Sequence, residues 1–283
     1  ITIENYERKC ELAASLQNKV EELTIKYIEE VYKFIGKKLP ICLSGGLFLN
    51  VKLNEIVRSY FDVDLFVFPP AGDTGNCVGA ALHAIDISKI KLEDRNLDTL
   101  KLGKEYKFMD FYKISEFLNK YKIHQNPKNE FITEFIANKI ADNDVVNVCY
   151  GKSEFGPRAL LSRSTLYKAD DVSVNSWLNE SVGRSNYMPY AGVILENMCN
   201  EYFNGLDSSS KRYLSRFMII TSECKGIFVF NHPAVSHPIN YEKSAYSCRP
   251  QVIFPDDEFA FDIMSYLKNK GVHCIINTSS DLK

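Results

Sequence analysis

The chain has 283 residues, 45% of them hydrophobic and 25% charged, which is the make-up of a folded globular protein with room for two cores. Its 34 basic and 36 acidic residues leave a formal charge of -2, so no global field draws it to nucleic acid or to an anionic membrane, and any anion must be bound locally. No apolar run approaches the roughly 18 residues that span a bilayer, and no charged start leads into an apolar signal core.

Leu12, Leu16, Val20, Leu23, Tyr27 and Val31 recur at helical spacing, which predicts one amphipathic helix with Gly36 as its C-cap. The chain opens on Ile1 directly into this helix, which suggests that further sequence precedes it. Residues 40–43 read as a buried strand, 44–46 as a turn, 47–60 as a helix and 65–68 as a second strand; strands alternating with helices imply a parallel sheet. Residues 71–85 are a Gly-rich turn opening into a helix of small residues. The charge-rich stretch 88–104 reads as a linker, dividing the chain into 1–87 and 105–283. Beyond it, helices are expected at 114–121, 130–141 and 258–270, and strands at 145–150, 165–167, 192–195, 217–221, 251–254 and 272–276. The eight cysteines are dispersed without a C-x-x-C pair, as expected of reduced, mostly buried thiols in a cytoplasmic protein.

Residues 151–164, GKSEFGPRALLSRS, place Glu154, Arg158, Arg163 and Ser164 around a Gly-Pro bend with little apolar filling. Such a bend presents backbone N–H groups, and an arginine can fork two donors onto one phosphate or carboxylate. The heads of Arg158 and Arg163 are expected to converge on one anion, although two arginines on a loop are also what an ordinary surface carries. The segment resembles the signature G-x-x-E-F-G-P-R-A-L-G-N-R-S of the carbamoyltransferase family that includes nodulation and antibiotic-tailoring enzymes. Leu161 and Ser162 stand where that signature has Gly-Asn.

Two earlier segments carry the same resemblance. Residues 43–50, LSGGLFLN, run from a strand through a Gly-Gly turn, where glycines let backbone approach a ligand or simply make a tight connection. Residues 68–79, FPPAGDTGNCVG, put Asp73 at a helix start, the place of an N-cap as well as of a ligand. The pair is similar to the L-x-G-G-x-x-x-N and P-x-x-G-D-x-G-x-x-x-G-A-A patterns of the family, whose nucleotide half is built like the sugar-kinase and actin ATPase fold. The resemblance implies that Gly45, Gly46, Asn50 and Gly75 serve a nucleotide and that Asp73 binds a divalent metal of the iron or magnesium class. The histidine pair that completes that metal site in the family has no counterpart before residue 45. His232 and His237, five residues apart across two prolines, match no helix-face ligand pair and read as loop residues.

The carbamoyl side is incomplete. Residues 182–192, VGRSNYMPYAG, are similar to the family's K-x-R-E-x-F-R-P-F-A-P through Arg184, Pro189, Tyr190 and Ala191, but Val182 and Met188 replace a Lys and an Arg. Lys168 and Lys211 are the candidates to compensate. Arg249 and Gln251 match R-x-Q, and Asn277, Thr278 and Ser279 match the start of N-T-S-F-N, with Ser280 and Asp281 departing.

The expected fold is thus α/β, a partial sugar-kinase-like ATPase domain followed by an α/β carbamoyltransferase domain. By resemblance, Arg158, Arg163, Arg184 and Arg249 do the catalytic work, and Glu154, Ser164, Asn277, Thr278 and Ser279 join Arg158 and Arg163 around carbamoyl phosphate. ATP would activate the carbamoyl group as carbamoyl-adenylate for transfer to a hydroxyl-bearing small molecule. The alternative is an impaired relative acting as a nucleotide- and anion-binding module. A homodimer is left open.

Overall fold

The computed structural model describes residues 3–88, 97–105, 129–181, 183–206, 209–239 and 242–280. The helical spacing of the first segment forms α1 (Ile3–Ile35). Val20, Ile25, Ile28 and Tyr32 pack onto the core, whereas Leu12, Leu16, Leu23 and Tyr27 stay exposed, so the buried face is rotated from the predicted stripe. Strand β1 (Ile41–Leu43) pairs in parallel with β2 (Leu65–Val67). The helix expected between them is divided. Gly46–Leu49 make a 3-10 turn, and α2 (Val51–Phe61) begins at Asn50, whose Oδ1 accepts the Leu53 N–H at 3.1 Å. That acceptor serves one of the N–H groups that a helix start leaves without a partner. A second 3-10 turn, Asp73–Gly75, leads into α3 (Asn76–Ile87).

The stretch read as a linker contains β3 (Lys101–Glu105). The helix expected at 114–121 lies outside the described residues. There follow α4 (Asn129–Ala141), β4 (Val146–Cys149), β5 (Lys152–Glu154), β6 (Arg163–Lys168), α5 (Ser173–Ser181), β7 (Ala191–Leu195) and β8 (Phe203–Asn204). Then come α6 (Ser209–Arg216), β9 (Ser222–Cys224), β10 (His237–Pro238), β11 (Tyr246–Cys248), β12 (Pro250–Ile253), α7 (Glu258–Asn269) and β13 (Ile275–Ser279). A five-stranded sheet runs in the order β12-β7-β13-β6-β4, parallel only between β12 and β7. A four-stranded antiparallel sheet, β10-β11-β9-β8, stands beside it, and β3 pairs with β5. The mixed α/β class is the expected one.

Two strands depart from expectation. Residues 217–221 form no strand; Phe217, Met218, Ile219 and Ile220 continue the end of α6 as a turn, with Met218 at φ 55°, and all four side chains are buried. The final strand starts later than expected because Gly271 (φ 77°) and Val272 close α7, the Val272 N–H reaching the Leu267 carbonyl at 2.9 Å in a Schellman-type stop. This shift places Asn277 and Thr278 inside β13, opposite Leu166 and Thr165, and pairs Ser279 with Ser164.

One core lies around the five-stranded sheet, with α4 and α7 packed on each other through Ile136, Ala137, Ile140, Ile263 and Leu267. The other joins the N-terminal part of the chain to residues between 97 and 220. Leu53, Val57, Phe61, Leu65 and Val67 pack with Leu160, Leu214 and the Phe217–Ile220 turn residues. Fully buried Asn54 stitches the two together, its Nδ2 donating to the carbonyls of Phe48 and Ile219, both at 2.8 Å. Burying side chains of this size is worth about 1.5–3 kcal/mol each, so neither part is indifferent to the other.

All eight cysteines are free, and they divide evenly: Cys199, Cys224, Cys248 and Cys274 are buried, Cys10, Cys42, Cys77 and Cys149 exposed. Half of them, fewer than expected, are core residues. Burial pushes the Cys199 and Cys248 thiols up to about 12, which keeps them protonated. No described helix is long and apolar enough to cross a membrane.

His232 is 7% exposed with neither ring nitrogen bonded, and burial, then the charge of His273, lowers its pKa from 6.5 to about 4. The unfolded chain therefore takes up a proton that the folded one refuses. Stability is full above pH 6.5 and falls as pH drops toward 4. Denaturant titrations are expected to show a loss of about 2 kcal/mol between roughly pH 7.5 and 5, and His232→Phe should flatten that slope.

Candidate anion site

The loop between β5 and β6 is held from beneath by its own polar residues. A single carboxylate oxygen of Glu154 accepts the N–H groups of Leu160 (2.8 Å), Ser162 (2.7 Å) and Arg163 (3.1 Å). The Ser164 hydroxyl accepts from Leu161 N–H at 3.0 Å, with Leu161 in the left-handed region at φ 70°. Asn277 Nδ2 donates to the Ala159 carbonyl (2.8 Å) and to Gln251 Oε1 (2.7 Å). Arg163 does not converge with Arg158. Its guanidinium turns onto the carbonyls of Tyr150 (3.0 Å), Gly151 (3.0 Å) and Ser162 (2.7 Å), bracing the strand end. These four residues build the loop, and Arg158 is what the loop presents.

Three arginines meet there instead: Arg158 from the loop, Arg184 from the segment before β7, and Arg249 between β11 and β12. Arg158 reaches the Leu49 carbonyl at 3.2 Å and Arg184 the Pro189 carbonyl at 3.1 Å and Thr278 Oγ1 at 3.3 Å. Arg184 also lies over the Tyr190 ring, 4.7 Å from its centroid. The Nε atoms of Arg158 and Arg249 are buried without partners. Among the described residues no carboxylate pairs with any of the three. Burial, then the charges of Arg158 and Arg184, lowers the Arg249 guanidinium to about 9, and burial, then Arg184, lowers Arg158. Like charges brought together in a partly buried place without a counter-ion are costly, and an anion among them would relieve that cost.

The contrast with the protein's other arginines is direct. Arg216 is bidentate to Asp256 at 2.6 and 2.9 Å, and Arg212 meets Glu196 at 3.1 Å. A cavity of about 270 Å³ behind the loop, lined by Leu160, Gln251, Phe254 and Arg216 among others, therefore contains a cation that is already neutralised. Lys168 and Lys211, the candidates to replace missing cations, are engaged by Asp170 (3.1 Å) and Glu55 (3.0 Å). Met188 is 43% exposed, and Val182 lies outside the described residues.

The turn of residues 43–50 borders this cluster, since Leu49 supplies the carbonyl for Arg158 and the loop's Gly156 approaches Pro70, a Cβ there standing 3.5 Å from the proline Cβ. Gly45 (φ 111°) and Gly46 have open space where a Cβ would stand, as close approach of a ligand needs. Asn50 is engaged at both ends of its amide, capping α2 and donating to Gln17 Oε1 at 2.8 Å. Gly75 is a packing glycine: a Cβ would collide with the Pro70 carbonyl and stand 2.9 Å from the Phe68 ring. Asp73 is exposed, caps no helix, and no cluster of three or more metal-ligating residues occurs among the described residues. One exposed carboxylate does not make a metal centre, so these residues by themselves do not fit a bound divalent metal.

Sequence reading missed His237. Its Nε2 lies 2.9 Å from the Tyr190 carbonyl, and its ring feels the charges of Arg249 and Arg184. No spacing rule joins a histidine in N-H-P-A-V-S-H-P to an arginine in C-R-P; only the pairing of β10 with β11, His237 opposite Ser247, brings them together.

A cluster of partly buried, unmatched arginines beside a glycine turn in an α/β protein has the chemistry to hold an anion. The family is more definite. The model of the carbamoyltransferase C-terminus matches residues 137–283 and that of the carbamoyltransferase N-terminus residues 1–82, and the chain belongs to the carbamoyltransferase family. It is 31% identical to an uncharacterized protein of Methanocaldococcus jannaschii over 98% of this chain and 51% of that one. It is 28% identical to nodulation protein NolNO of Sinorhizobium fredii, over 95% of this chain and 38% of the relative. Nodulation protein U of Azorhizobium caulinodans is also 28% identical, over 72% and 34%. The chain thus spans about half or less of the length of these relatives.

Replacing Glu154 by Ala leaves three loop N–H groups without their acceptor. The expected cost is about 2–3 kcal/mol in urea denaturation, with faster proteolysis at the loop; Glu154→Gln, which keeps an oxygen, should lose less.

Proposed function

We propose that this chain binds carbamoyl phosphate at Arg158, Arg184 and Arg249 and takes part in O-carbamoyl transfer. The observation that carries the reading is the arginine trio without a carboxylate partner, the Nε atoms of Arg158 and Arg249 buried and unpaired, next to the Gly45-Gly46 turn. Family membership supports the carbamoyl group as the cargo: it travels as a mixed anhydride with phosphate, and the phosphate dianion is what three forked cations hold well.

In this reading, water releases phosphate from carbamoyl phosphate to leave carbamate. The carbamate oxygen attacks the α-phosphorus of ATP, displacing pyrophosphate and forming carbamoyl-adenylate. An acceptor hydroxyl then takes the carbamoyl carbon, and AMP leaves. The trio neutralises phosphate charge as it develops, and the partial burial of Arg158 and Arg249 strengthens their contacts relative to those of a surface arginine. Glu154, Arg163, Ser164 and Asn277 act one step back, fixing the loop that aims Arg158; Thr278 does the same for Arg184 through its hydroxyl. ATP is assigned to the turn at Gly45 and Gly46 as co-substrate. The acceptor is assigned to the class of hydroxyl-bearing small molecules.

Calorimetric titration with carbamoyl phosphate and with inorganic phosphate tests the reading. Arg249→Met is expected to weaken both by about a hundredfold or more, the usual cost of removing a desolvated charged donor. Absence of phosphate binding to the unaltered chain would sink the proposal. A second reading, a binding module without turnover, is favoured by one observation: the position of the family's second arginine carries the exposed Met188. If that replacement limits catalysis, Val182→Lys with Met188→Arg should raise pyrophosphate and phosphate release from ATP and carbamoyl phosphate; no increase would refute this account of the defect.

A further inference from the structure

The arginine trio can only donate hydrogen bonds. A carbamoyl group differs from other acyl phosphates by its NH₂, whose two N–H bonds need acceptors. The nearby carbonyls of Leu49 and Pro189 already accept from Arg158 and Arg184, and that of Tyr190 from His237, which leaves each with one lone pair at most. Asn277 Oδ1 has no partner but is sealed from solvent beneath the loop.

His237 is placed differently. A carbonyl can only accept, so Nε2 carries the ring proton and donates it to Tyr190 at 2.9 Å. This leaves a lone pair on Nδ1, which has no partner among the described residues and, unlike both nitrogens of His232, is not sealed from solvent. The ring is rigidly seated. Tyr190 is 1% exposed, its hydroxyl donates to Asn179 at 2.6 Å, and its aromatic face carries Arg184. Consecutive carbonyls, Pro189 and Tyr190, accept from the arginine and the histidine, and the ring lies close enough to Arg184 and Arg249 to feel both charges.

Resting on the carbamoyl phosphate reading above, we propose that His237 is the specificity residue of the site, its Nδ1 accepting a hydrogen bond from the carbamoyl NH₂. Protonation would turn this acceptor into a donor. Burial first, and then the positive charges of Arg249 and Arg184, oppose it and lower the pKa of His237, against the raising effect of the Tyr190 carbonyl.

The test compares carbamoyl phosphate, acetyl phosphate, whose methyl replaces the NH₂, and inorganic phosphate on the whole chain. The unaltered protein is expected to prefer carbamoyl over acetyl phosphate by about tenfold, the worth of one good hydrogen bond. In His237→Leu the two should bind alike, with inorganic phosphate affinity kept within about twofold, and His237→Gln, which retains an acceptor, should recover most of the preference. A preference that survives in His237→Leu overturns the assignment while the anion site stands. Failure of the unaltered chain to bind phosphate at all removes the underlying reading and the assignment with it. Should His237→Leu also lose phosphate, the unaltered protein decides: the ¹⁵N resonance of His237 Nδ1 must shift with carbamoyl phosphate and not with acetyl phosphate, and equal responses refute the proposal.

Discussion

One carboxylate oxygen organises the site. Glu154 gathers three backbone N–H groups of the loop that follows it, and among the described residues no other side-chain oxygen accepts from so many main-chain donors. The loop needs that acceptor because it turns through left-handed positions at Gly156 and Leu161, where no strand or helix ladder is available to its amides. The charge on Glu154 is spent on backbone and not on the guanidinium groups nearby. Arg158 therefore emerges from an ordered loop with its positive charge uncompensated.

The same economy of pairing separates working from bracing arginines. Arg163 is spread over three carbonyls, Arg212 and Arg216 have carboxylates, and among the described residues only Arg158, Arg184 and Arg249 are brought together without one. Concentrating unmatched charge in one partly buried place costs stability. A bound anion would offset that cost, and this is why the cluster supports the proposed site more firmly than the number of arginines does.

The two parts of the chain are joined at this point. Leu49, at the end of the glycine turn, supplies the carbonyl that steadies Arg158, while Asn54 and the residues around Leu53 share a core with the turn after α6. A nucleotide held at Gly45 and Gly46 and an anion held by the trio would therefore meet across a packed boundary and not across a hinge. Apolar residues 217–220 look like a strand in sequence because a short apolar run has no period to betray its geometry; their burial comes from this boundary, which no local pattern encodes.

Local chemistry in the sequence determined the α/β class, the parallel β1–β2 unit, the helix ends and the loop at 151–164, since caps, glycines and apolar spacing act over a few residues. It also named Arg158, Arg184 and Arg249, through family motifs. Tertiary structure alone decided which polar groups are left unmatched and which face the protein: Arg163, Ser164 and Asn50 were turned inward onto backbone or neighbouring side chains, Gly75 proved to be a packing requirement, and His237 came near the arginines from another strand. The reason is physical. Whether a side chain is free depends on partners far away along the chain, and hydrogen-bond partners are assigned only when the sheets have paired and water has been removed.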